Sequence, residues 1–236
     1  MKKFIITAGG TSERIDNVRK ITNSSSGKLG CIIANTILDE IKDAKIYYIC
    51  SKNSLRPRDG DNVKVIEVDG VIDLKNKIEF ILKNDNIDFF IHSMAVSDYM
   101  TDYVTTLAKI DECYKKNNNL NNIERLTGSK ISSYEDNLVI VLKQTPKVIS
   151  IIKDVSPKTF LVGFKLLDGV CDEKLIYVGK ELMKKNKCDV VVANDLANIR
   201  NGEHKAFLLE KDNSVSTASG KEDIAKKLVR RFKYEK

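Results

Sequence analysis

The residues best suited to bind a phosphorylated ligand lie in one polar stretch near the amino terminus. It opens with Gly9 and Gly10 after a short apolar run and closes with Ser-Ser-Ser-Gly at residues 24–27. Glycines let the backbone approach a phosphate, serine hydroxyls donate hydrogen bonds, and a helix that begins after such a loop presents its positive end. The stretch therefore predicts an anion site, although two glycines after a strand also serve as an ordinary turn.

The stretch does not match the two standard nucleotide-binding fingerprints. It has no GxGxxG that immediately opens a helix and no GxxxxGK[ST]. No Tyr-Lys pair or histidine suited to hydride transfer accompanies it, since His92 is better explained as a satisfied strand-end histidine and His204 lies on a polar loop. An NAD(P)-dependent oxidoreductase and a P-loop ATPase are accordingly disfavoured.

Three further loops follow apolar runs and are expected at the same edge of a sheet as the first. One carries Met94, Ala95 and Asp98, and its small residues leave room for a ligand beside backbone N–H groups. The others carry Phe164 and Asn194. Ordinary alternatives exist, since Asp98 and Asn194 also suit turns or caps and Phe164 suits a core.

Apolar runs alternate with segments of helical periodicity, which predicts an α/β domain with a parallel sheet covered on both faces. Strands are predicted at residues 4–7, 45–50, 63–68, 87–92, 138–142, 160–164 and 189–193, with a hairpin at 206–209 and 214–217. Helices are predicted at residues 27–41, 72–82, 146–153, 172–185 and 221–232. Serines 24–26 are expected to cap the first of these helices.

The alternation fails after Asp98. Residues 101–137 include the low-complexity stretch KKNNNLNN at 115–122, which has little to bury. This segment is predicted to be a flexible flap that leaves an otherwise single domain spanning residues 1–236.

The composition supports a single domain, since 42% of the 236 residues are apolar. Lys and Arg number 40 against 33 Asp and Glu, a net charge of +7, but no basic run is interleaved with aromatics, so nucleic acid is not favoured as a partner. Five cysteines without a CxxC pair suggest free thiols in a reducing compartment. Neither a long apolar stretch nor a secretory signal is present, so no membrane partner is expected and the protein is predicted to be cytoplasmic.

Residues 9–19 (GGTSERIDNVR) and 21–27 (ITNSSSG) strongly resemble the opening of the phosphopantothenate–cysteine ligase family. Further similarity, in family order, lies at residues 95–98 (AVSD), 130–133 (KISS), 145–147 (TPK), 162–166 (VGFKL) and 193–195 (AND). The resemblance implies a Rossmann-like three-layer fold with a mostly parallel sheet. It also implies a homodimer that joins 4′-phosphopantothenate to L-cysteine in coenzyme A biosynthesis.

In that family the substrate carboxylate attacks the α-phosphate of CTP or ATP, and pyrophosphate leaves. Cysteine then displaces the nucleotide from the acyl-nucleotidate, which gives 4′-phospho-N-pantothenoylcysteine. Because a carboxylate is a poor acylating group, the activation supplies a good leaving group, and the protein must hold several anions together. Mg²⁺ is implied as the companion of the triphosphate.

The resemblance also implies roles for individual residues. Asn23 is expected to hold the substrate carboxylate and the acyl-nucleotidate, and Lys130 is expected to close over the site and neutralise charge on the phosphate. The nucleotide phosphates are expected at Gly10, Ser25, Gly27 and Gly30, the nucleoside at Phe164 and Asn194, and phosphopantothenate at Met94, Ala95 and Asp98.

Three departures from the family pattern leave points open. Met94 stands where a small alanine is usual, which favours a backbone role there. Leu182 and Asn186 stand where many bacterial members have lysines, and residues 164–166 look closer to the eukaryotic pattern. The preference for CTP or ATP is therefore left open. The decarboxylase portion of the fused bacterial enzymes is missing, so a stand-alone ligase is expected.

The alternative function is that of a non-catalytic nucleotide-binding regulator. Such a regulator would not require both Asn23 and Lys130.

Overall fold

The computed structural model of the protein describes residues 1–200 and 205–235, so His204 lies outside the described residues. The strands are β1 (Lys2–Ala8), β2 (Ser12–Arg14), β3 (Lys20–Thr22), β4 (Ala44–Ser51), β5 (Val63–Val68), β6 (Phe89–His92), β7 (Tyr99–Thr106), β8 (Leu138–Gln144), β9 (Phe160–Leu167), β10 (Val190–Asp195), β11 (Lys205–Glu210) and β12 (Val215–Ser219). The helices are α1 (Lys28–Glu40), α2 (Val71–Asn84), α3 (Leu107–Asn117), α4 (Val148–Val155), α5 (Asp172–Asn186), α6 (Leu196–Arg200) and α7 (Gly220–Tyr234). Every strand and helix that the sequence predicts is present.

Eight strands form one sheet in the order β12-β11-β10-β9-β6-β1-β4-β5. The six strands from β10 to β5 run parallel, whereas β11 and β12 add an antiparallel edge. The chain builds outward from β1 to β4 and β5 and then returns to β6 on the other side of β1. This reversal confirms the expected Rossmann-like architecture, and in such folds a ligand crevice lies outside the carboxyl ends of the strands at the reversal, here β1 and β6.

Helices cover both faces of this sheet because its strands are apolar on both sides. Along β1, Phe4 and Ile6 pack with α1 and α7, whereas Ile5 packs with α2, α4 and α5, which is the period of two of a strand. The ring of Phe4 stacks on that of Phe89 with centroids 4.9 Å apart, and Phe232 of α7 contacts both rings. Each such side chain contributes about 1.5–3 kcal/mol by burial, which fixes the last helix to the sheet.

The polar stretch after Gly10 contains a hairpin that the sequence does not reveal. β2 and β3 pair antiparallel, with Ser12 opposite Thr22 and Arg14 opposite Lys20. Polar side chains occupy both faces of this pair, so no alternation of apolar and polar residues announces it.

The prediction of an irregular excursion at residues 101–137 is wrong for its first half. β7 pairs with β8 in a separate two-stranded sheet, and α3 follows β7 directly. The Thr106 hydroxyl accepts a hydrogen bond from the Lys109 N–H and caps α3, which buries Cys113. Sequence inspection misses β7 because its partner lies some thirty residues further along the chain. The asparagine-rich residues 118–122 are exposed, as expected, and the mobility of the flap stays a prediction.

The expected serine cap of α1 is also wrong. The N-cap is Gly27, in the left-handed region at φ 73°, which supplies no side-chain acceptor. The Ser25 and Ser26 hydroxyls lie 3.5 and 3.4 Å from the backbone nitrogens of Gly27 and Lys28, at the long limit of a hydrogen bond.

The cysteines agree with the expectation of free thiols. All five are unpaired, and Cys50, Cys113 and Cys188 are buried. Burial raises the pKa of the Cys188 thiol to about 12. No helix in the described part of the chain is long and apolar enough to cross a membrane.

Candidate active site

The loops that follow β1 and β6 are joined at the crevice. The Ala95 N–H donates to the Gly9 carbonyl at 2.8 Å, and the Thr11 N–H donates to the Ala95 carbonyl at 3.1 Å. These bonds continue the parallel pairing of β1 and β6 beyond the regular sheet, through a bridge between Gly10 and Ala95. Ala95 therefore forms the seam between the two loops.

Buried side-chain hydroxyl groups also connect these two loops. The Thr11 hydroxyl accepts a hydrogen bond from the Ser97 N–H at 2.8 Å, and the Thr7 hydroxyl lies 2.9 Å from His92 Nδ1. Burial lowers the pKa of His92 to about 4, so the ring is neutral near neutral pH. The expectation of a satisfied strand-end histidine is confirmed. The sequence alone does not identify the structural role of Thr7, Thr11 and Ser97, because that role depends on contacts between two loops that are distant in the chain.

Asn23 is placed against Gly10. Its N–H donates to the Thr11 carbonyl at 3.1 Å, and its own carbonyl passes so close that a Cβ at Gly10 would lie 1.8 Å from it. Only glycine fits there. Within residues 1–200 and 205–235 the Asn23 side-chain amide makes no hydrogen bond, and it lines a cleft. An uncharged donor therefore faces the crevice with its hydrogen-bonding capacity unused.

That cleft has a volume of about 880 Å³ and is called here the serine-loop cleft. Gly10, Asn23 and Ser25 lie on its wall, together with the carboxyl ends of β4 and β5. Its charges are mixed, since Asp69 accepts from both Lys20, at 2.6 Å, and Arg14, at 3.2 Å. The sheet-edge position and the hydroxyl-rich wall fit an anionic ligand. The lining residues are Gly10, Ser12, Arg14, Lys20, Thr22, Asn23, Ser24, Ser25, Ser26, Ser51, Lys52, Asn53, Glu67, Val68, Asp69 and Asp73.

Gly27 and Gly30 do not line this cleft, and their close packing against neighbouring residues already favours glycine at both positions. A Cβ at Gly30 would come within 2.7 Å of the Ala8 Cβ and 2.9 Å of the Ser93 hydroxyl. The missing side chain lets the start of α1 pack directly on the ends of β1 and β6. Direct contact of Gly27 and Gly30 with phosphate stays a prediction.

A second cleft of about 430 Å³ lies on the other side of the seam, beside the ends of β6 and β9. We call it the Phe164 cleft, because Phe164, Met94 and Asp98 all line it. The Met94 side chain is 6% exposed and packs in the core, which agrees with a backbone role there. Asp98 is exposed and pairs with Lys147 at 2.5 Å.

Lys147, Lys165 and Lys185 give the Phe164 cleft a positive character. Lys147 belongs to the TPK motif at residues 145–147, and family resemblance at that motif is the sequence signal that identifies it. Asn194 lies on β10 opposite Leu166 and is not among the residues that line either cleft.

Lys130 is not placed with Asn23. The Asn17 N–H donates to the Ser129 carbonyl at 3.0 Å, so the Lys130 segment lies against the turn at the tip of the β2-β3 hairpin. Asn23 lies at the base of the same hairpin, and the four residues back to Arg19 span roughly 13 Å in an extended strand. The structure therefore brings Asn23, Gly10 and Ser25 together, and it brings Met94, Asp98 and Phe164 together, but it leaves exposed Lys130 apart from both groups.

A Rossmann-like domain with two joined, glycine- and hydroxyl-rich loops at its strand-order reversal is the class of protein that these features define. The chain belongs to the family described as DNA/pantothenate metabolism flavoprotein C-terminal domain, whose model matches residues 1–123 and 121–234.

Individual relatives agree with this membership. The coenzyme A biosynthesis bifunctional protein CoaBC of Thermococcus kodakarensis is 34% identical over 99% of this chain and 48% of its own length. CoaBC of Methanocaldococcus jannaschii is 27% identical over 98% of this chain and 50% of its own length. The chain thus spans about half the length of these curated relatives.

Two solved structures resemble the protein closely in fold. A DNA/pantothenate metabolism flavoprotein from Streptococcus pneumoniae superposes with a TM-score of 0.87 at 36% identity, covering 99% of this chain and 98% of that one. A Cab2 mutant in complex with phosphopantothenate-cysteine superposes with a TM-score of 0.72 at 16% identity, covering 98% and 86% respectively. The second likeness concerns the fold alone.

Proposed function

We propose that the protein is a phosphopantothenate–cysteine ligase, which joins 4′-phosphopantothenate to L-cysteine through an acyl-nucleotidate. The observation that carries this proposal is the free, uncharged amide of Asn23 over Gly10 at the crevice. An amide there can donate to a carboxylate without adding charge. The names of the coenzyme A biosynthesis relatives and the ligand of the Cab2 complex support the same reaction.

The proposed reaction has two steps. A carboxylate oxygen of phosphopantothenate attacks the α-phosphorus of the nucleotide, and the bond to the departing pyrophosphate breaks. The amino group of cysteine then attacks the acyl carbon, loses a proton and expels the nucleoside monophosphate. The Asn23 amide would hold the carboxylate in the first step and the acyl oxygen in the second. Lys130 would neutralise charge that develops on phosphorus once its segment closes.

CTP or ATP would extend across the seam. Its phosphates would meet Gly10, Ser25 and the start of α1 with Gly27 and Gly30, where the backbone is close and the helix end is positive. The nucleoside would pack on Phe164 in the second cleft, with Asn194 nearby on β10. Mg²⁺ would enter with the triphosphate, since Mg²⁺ favours phosphate oxygens with few carboxylates.

Phosphopantothenate was expected at Met94, Ala95 and Asp98, but two of these residues share a cleft with Phe164. A volume of about 430 Å³ has room for one of the two ligands expected there, the nucleoside or phosphopantothenate. We therefore propose that Asp98 serves the nucleoside side, while Ala95, at the seam, contacts both substrates. Phosphopantothenate would then occupy the serine-loop cleft with its carboxylate at Asn23.

A homodimer in the cytoplasm remains part of the proposal. β7 and β8 form a separate two-stranded sheet, and strand β8 has half-exposed apolar residues on both faces, Val139 and Val141 on one and Ile140 on the other. A second copy would cover one of these faces. Sedimentation equilibrium of the full chain at micromolar concentration should give twice the monomer mass, whereas a monomer would remove this part of the proposal.

A non-catalytic nucleotide-binding regulator is the alternative, and the separation of Lys130 from Asn23 favours it. The deciding experiment measures pyrophosphate release by purified protein with phosphopantothenate and Mg²⁺, with CTP and ATP in parallel, with and without cysteine. Release that requires phosphopantothenate, together with a cysteine-dependent amide product, supports the ligase and identifies its nucleotide. Nucleotide binding without release would support the regulator.

A further inference from the structure

A buried carboxylate joins the tip of the β2-β3 hairpin to the segment that carries Lys130. The Asp16 side chain is 1% exposed. Its Oδ2 accepts hydrogen bonds from the Ile131 N–H at 3.1 Å and from Arg19 Nη2 and Nε at 2.6 and 3.0 Å. One oxygen therefore connects two segments that are more than a hundred residues apart in sequence.

The other oxygen of Asp16 shapes the turn. Oδ1 accepts from the Val18 N–H at 2.8 Å and the Arg19 N–H at 2.7 Å. The Arg19 guanidinium and these backbone N–H groups hold the pKa of Asp16 well below its usual range, so the carboxylate is charged at neutral pH. Oδ1 thus serves the turn alone, whereas Oδ2 holds both the Arg19 side chain and the Ile131 N–H of the neighbouring segment.

Arg19 completes the connection from the other side. Its Nη2 donates to the Ile131 carbonyl at 2.8 Å, so both backbone polar groups of Ile131 are held. The Asn17 N–H donates to the Ser129 carbonyl at 3.0 Å. Lys130 lies between these two fixed residues and is itself exposed. We call Asp16, Arg19 and Ile131 the Asp16 latch.

We propose that Asp16 is a positioning residue for Lys130, which it holds through Ile131 and the latch. The catalytic half of this inference rests on the function proposed above for Lys130. A buried charge is costly unless its bonds are made, and its removal would leave the Ile131 N–H and the Arg19 guanidinium without their acceptor. The backbone on either side of Lys130 would then lose its fixed anchor and sample more positions, so the Lys130 side chain would start from the right place less often when it moves toward the phosphate.

The structural half is tested without any substrate. In Asp16→Asn the Ile131 amide should exchange hydrogen at least about tenfold faster than in the wild type, because local opening no longer breaks the latch bonds. Trypsin should also cut the Lys130–Ile131 bond faster, while exchange in β1 stays unchanged. Asp85→Asn is the matched control, since Asp85 pairs with Lys3 and Tyr47 far from the latch and should leave the Ile131 amide protected.

The catalytic half is tested by a double-mutant cycle on pyrophosphate release. Asp16→Asn should lower kcat about tenfold with the substrate KM values nearly unchanged, and it should add no further loss in a Lys130→Gln background. Equal losses in both backgrounds would mean that Asp16 acts by some other route and would overturn the proposal. Unchanged exchange at Ile131 would overturn it as well.

A milder variant covers the case in which Asp16→Asn fails to fold. Arg19→Lys keeps a positive partner for Asp16 but loses the donor to the Ile131 carbonyl, so the same changes should occur with smaller amplitude. If no variant, nor the wild type, releases pyrophosphate, the function proposed above fails, and the exchange measurement still decides whether the latch holds the segment.

Discussion

The crevice loops and the Lys130 segment are held in different ways. The loops after β1 and β6 share a continuous set of backbone and hydroxyl bonds, and most of these groups are buried, including Thr7, Thr11 and Ser97. The Lys130 segment instead meets the fold at the latch and at Asn17, and the residues after Ile131 are exposed. A dense buried network fixes one geometry, whereas a few bonds anchor one end of a segment and leave the exposed part beyond it free to move.

Under the proposed function, this difference separates two tasks. The crevice can receive substrates in a preformed arrangement, because its donors are already placed. The cation on the other segment can stay aside while substrates enter and join them later. The following predictions test this division of tasks, from the largest expected effect to the smallest.

Asn23→Asp should have the largest effect. It places a negative charge where the substrate carboxylate is proposed to lie, so product formation should fall by about 100-fold or more. Cysteine-dependent product, quantified by mass spectrometry, is the measurement. Asn53→Asp puts the same charge elsewhere in the serine-loop cleft and should cost much less. Similar losses in both variants would assign the effect to the general charge of the cleft.

Lys130→Gln should lower kcat for pyrophosphate release about thirtyfold, since one charged donor to the phosphate is lost. Circular dichroism and sedimentation should stay unchanged, because the side chain is exposed and makes no ion pair in the described part of the chain. The control is Lys116→Gln, at an exposed position of α3. A Lys130→Gln enzyme as fast as the wild type would return the segment to a purely structural role.

Phe164→Ala and Asp98→Asn should raise the KM of the same substrate, the nucleotide, because both residues line one cleft. The lost ring contact predicts a rise of about tenfold for Phe164→Ala, and the exposed Asp98 predicts about threefold. Steady-state kinetics with each substrate varied in turn make the measurement. A rise in the phosphopantothenate KM for Asp98→Asn alone would restore the role that family resemblance implies.

The last prediction concerns the stability of the protein, for which no change in catalysis is involved. His92 has its pKa lowered to about 4, so the unfolded chain binds a proton first as the pH falls, and stability is lost between the ordinary pKa near 6.5 and about 4. Between about pH 7.5 and pH 5 this contributes a loss of about 2 kcal/mol. Urea unfolding of wild type and His92→Gln at both pH values measures it. An equal pH dependence in the two proteins would exclude His92 as the source.

The sequence was informative where chemistry and local pattern agree. Apolar runs such as Phe4 to Thr7 predict the strands, and the glycine and serine stretch for which an anion site is predicted lies at the reversal of strand order. It failed where pairing is non-local or polar. The partner of β7 is β8, and the β2-β3 hairpin has no apolar face, so neither could be found from periodicity.

Residue types alone determined that this chain forms an α/β domain, that Asn23 follows a glycine-rich loop, and that a lone lysine lies beyond the low-complexity stretch. Only the tertiary structure decided which of these residues meet. It placed Asn23 over Gly10, gathered Met94, Asp98 and Phe164 in one cleft, and tied the Lys130 segment to Asp16. The physical reason is that side-chain type and spacing act through neighbours in the chain, whereas these contacts join segments whose approach is set by the packing of the whole sheet.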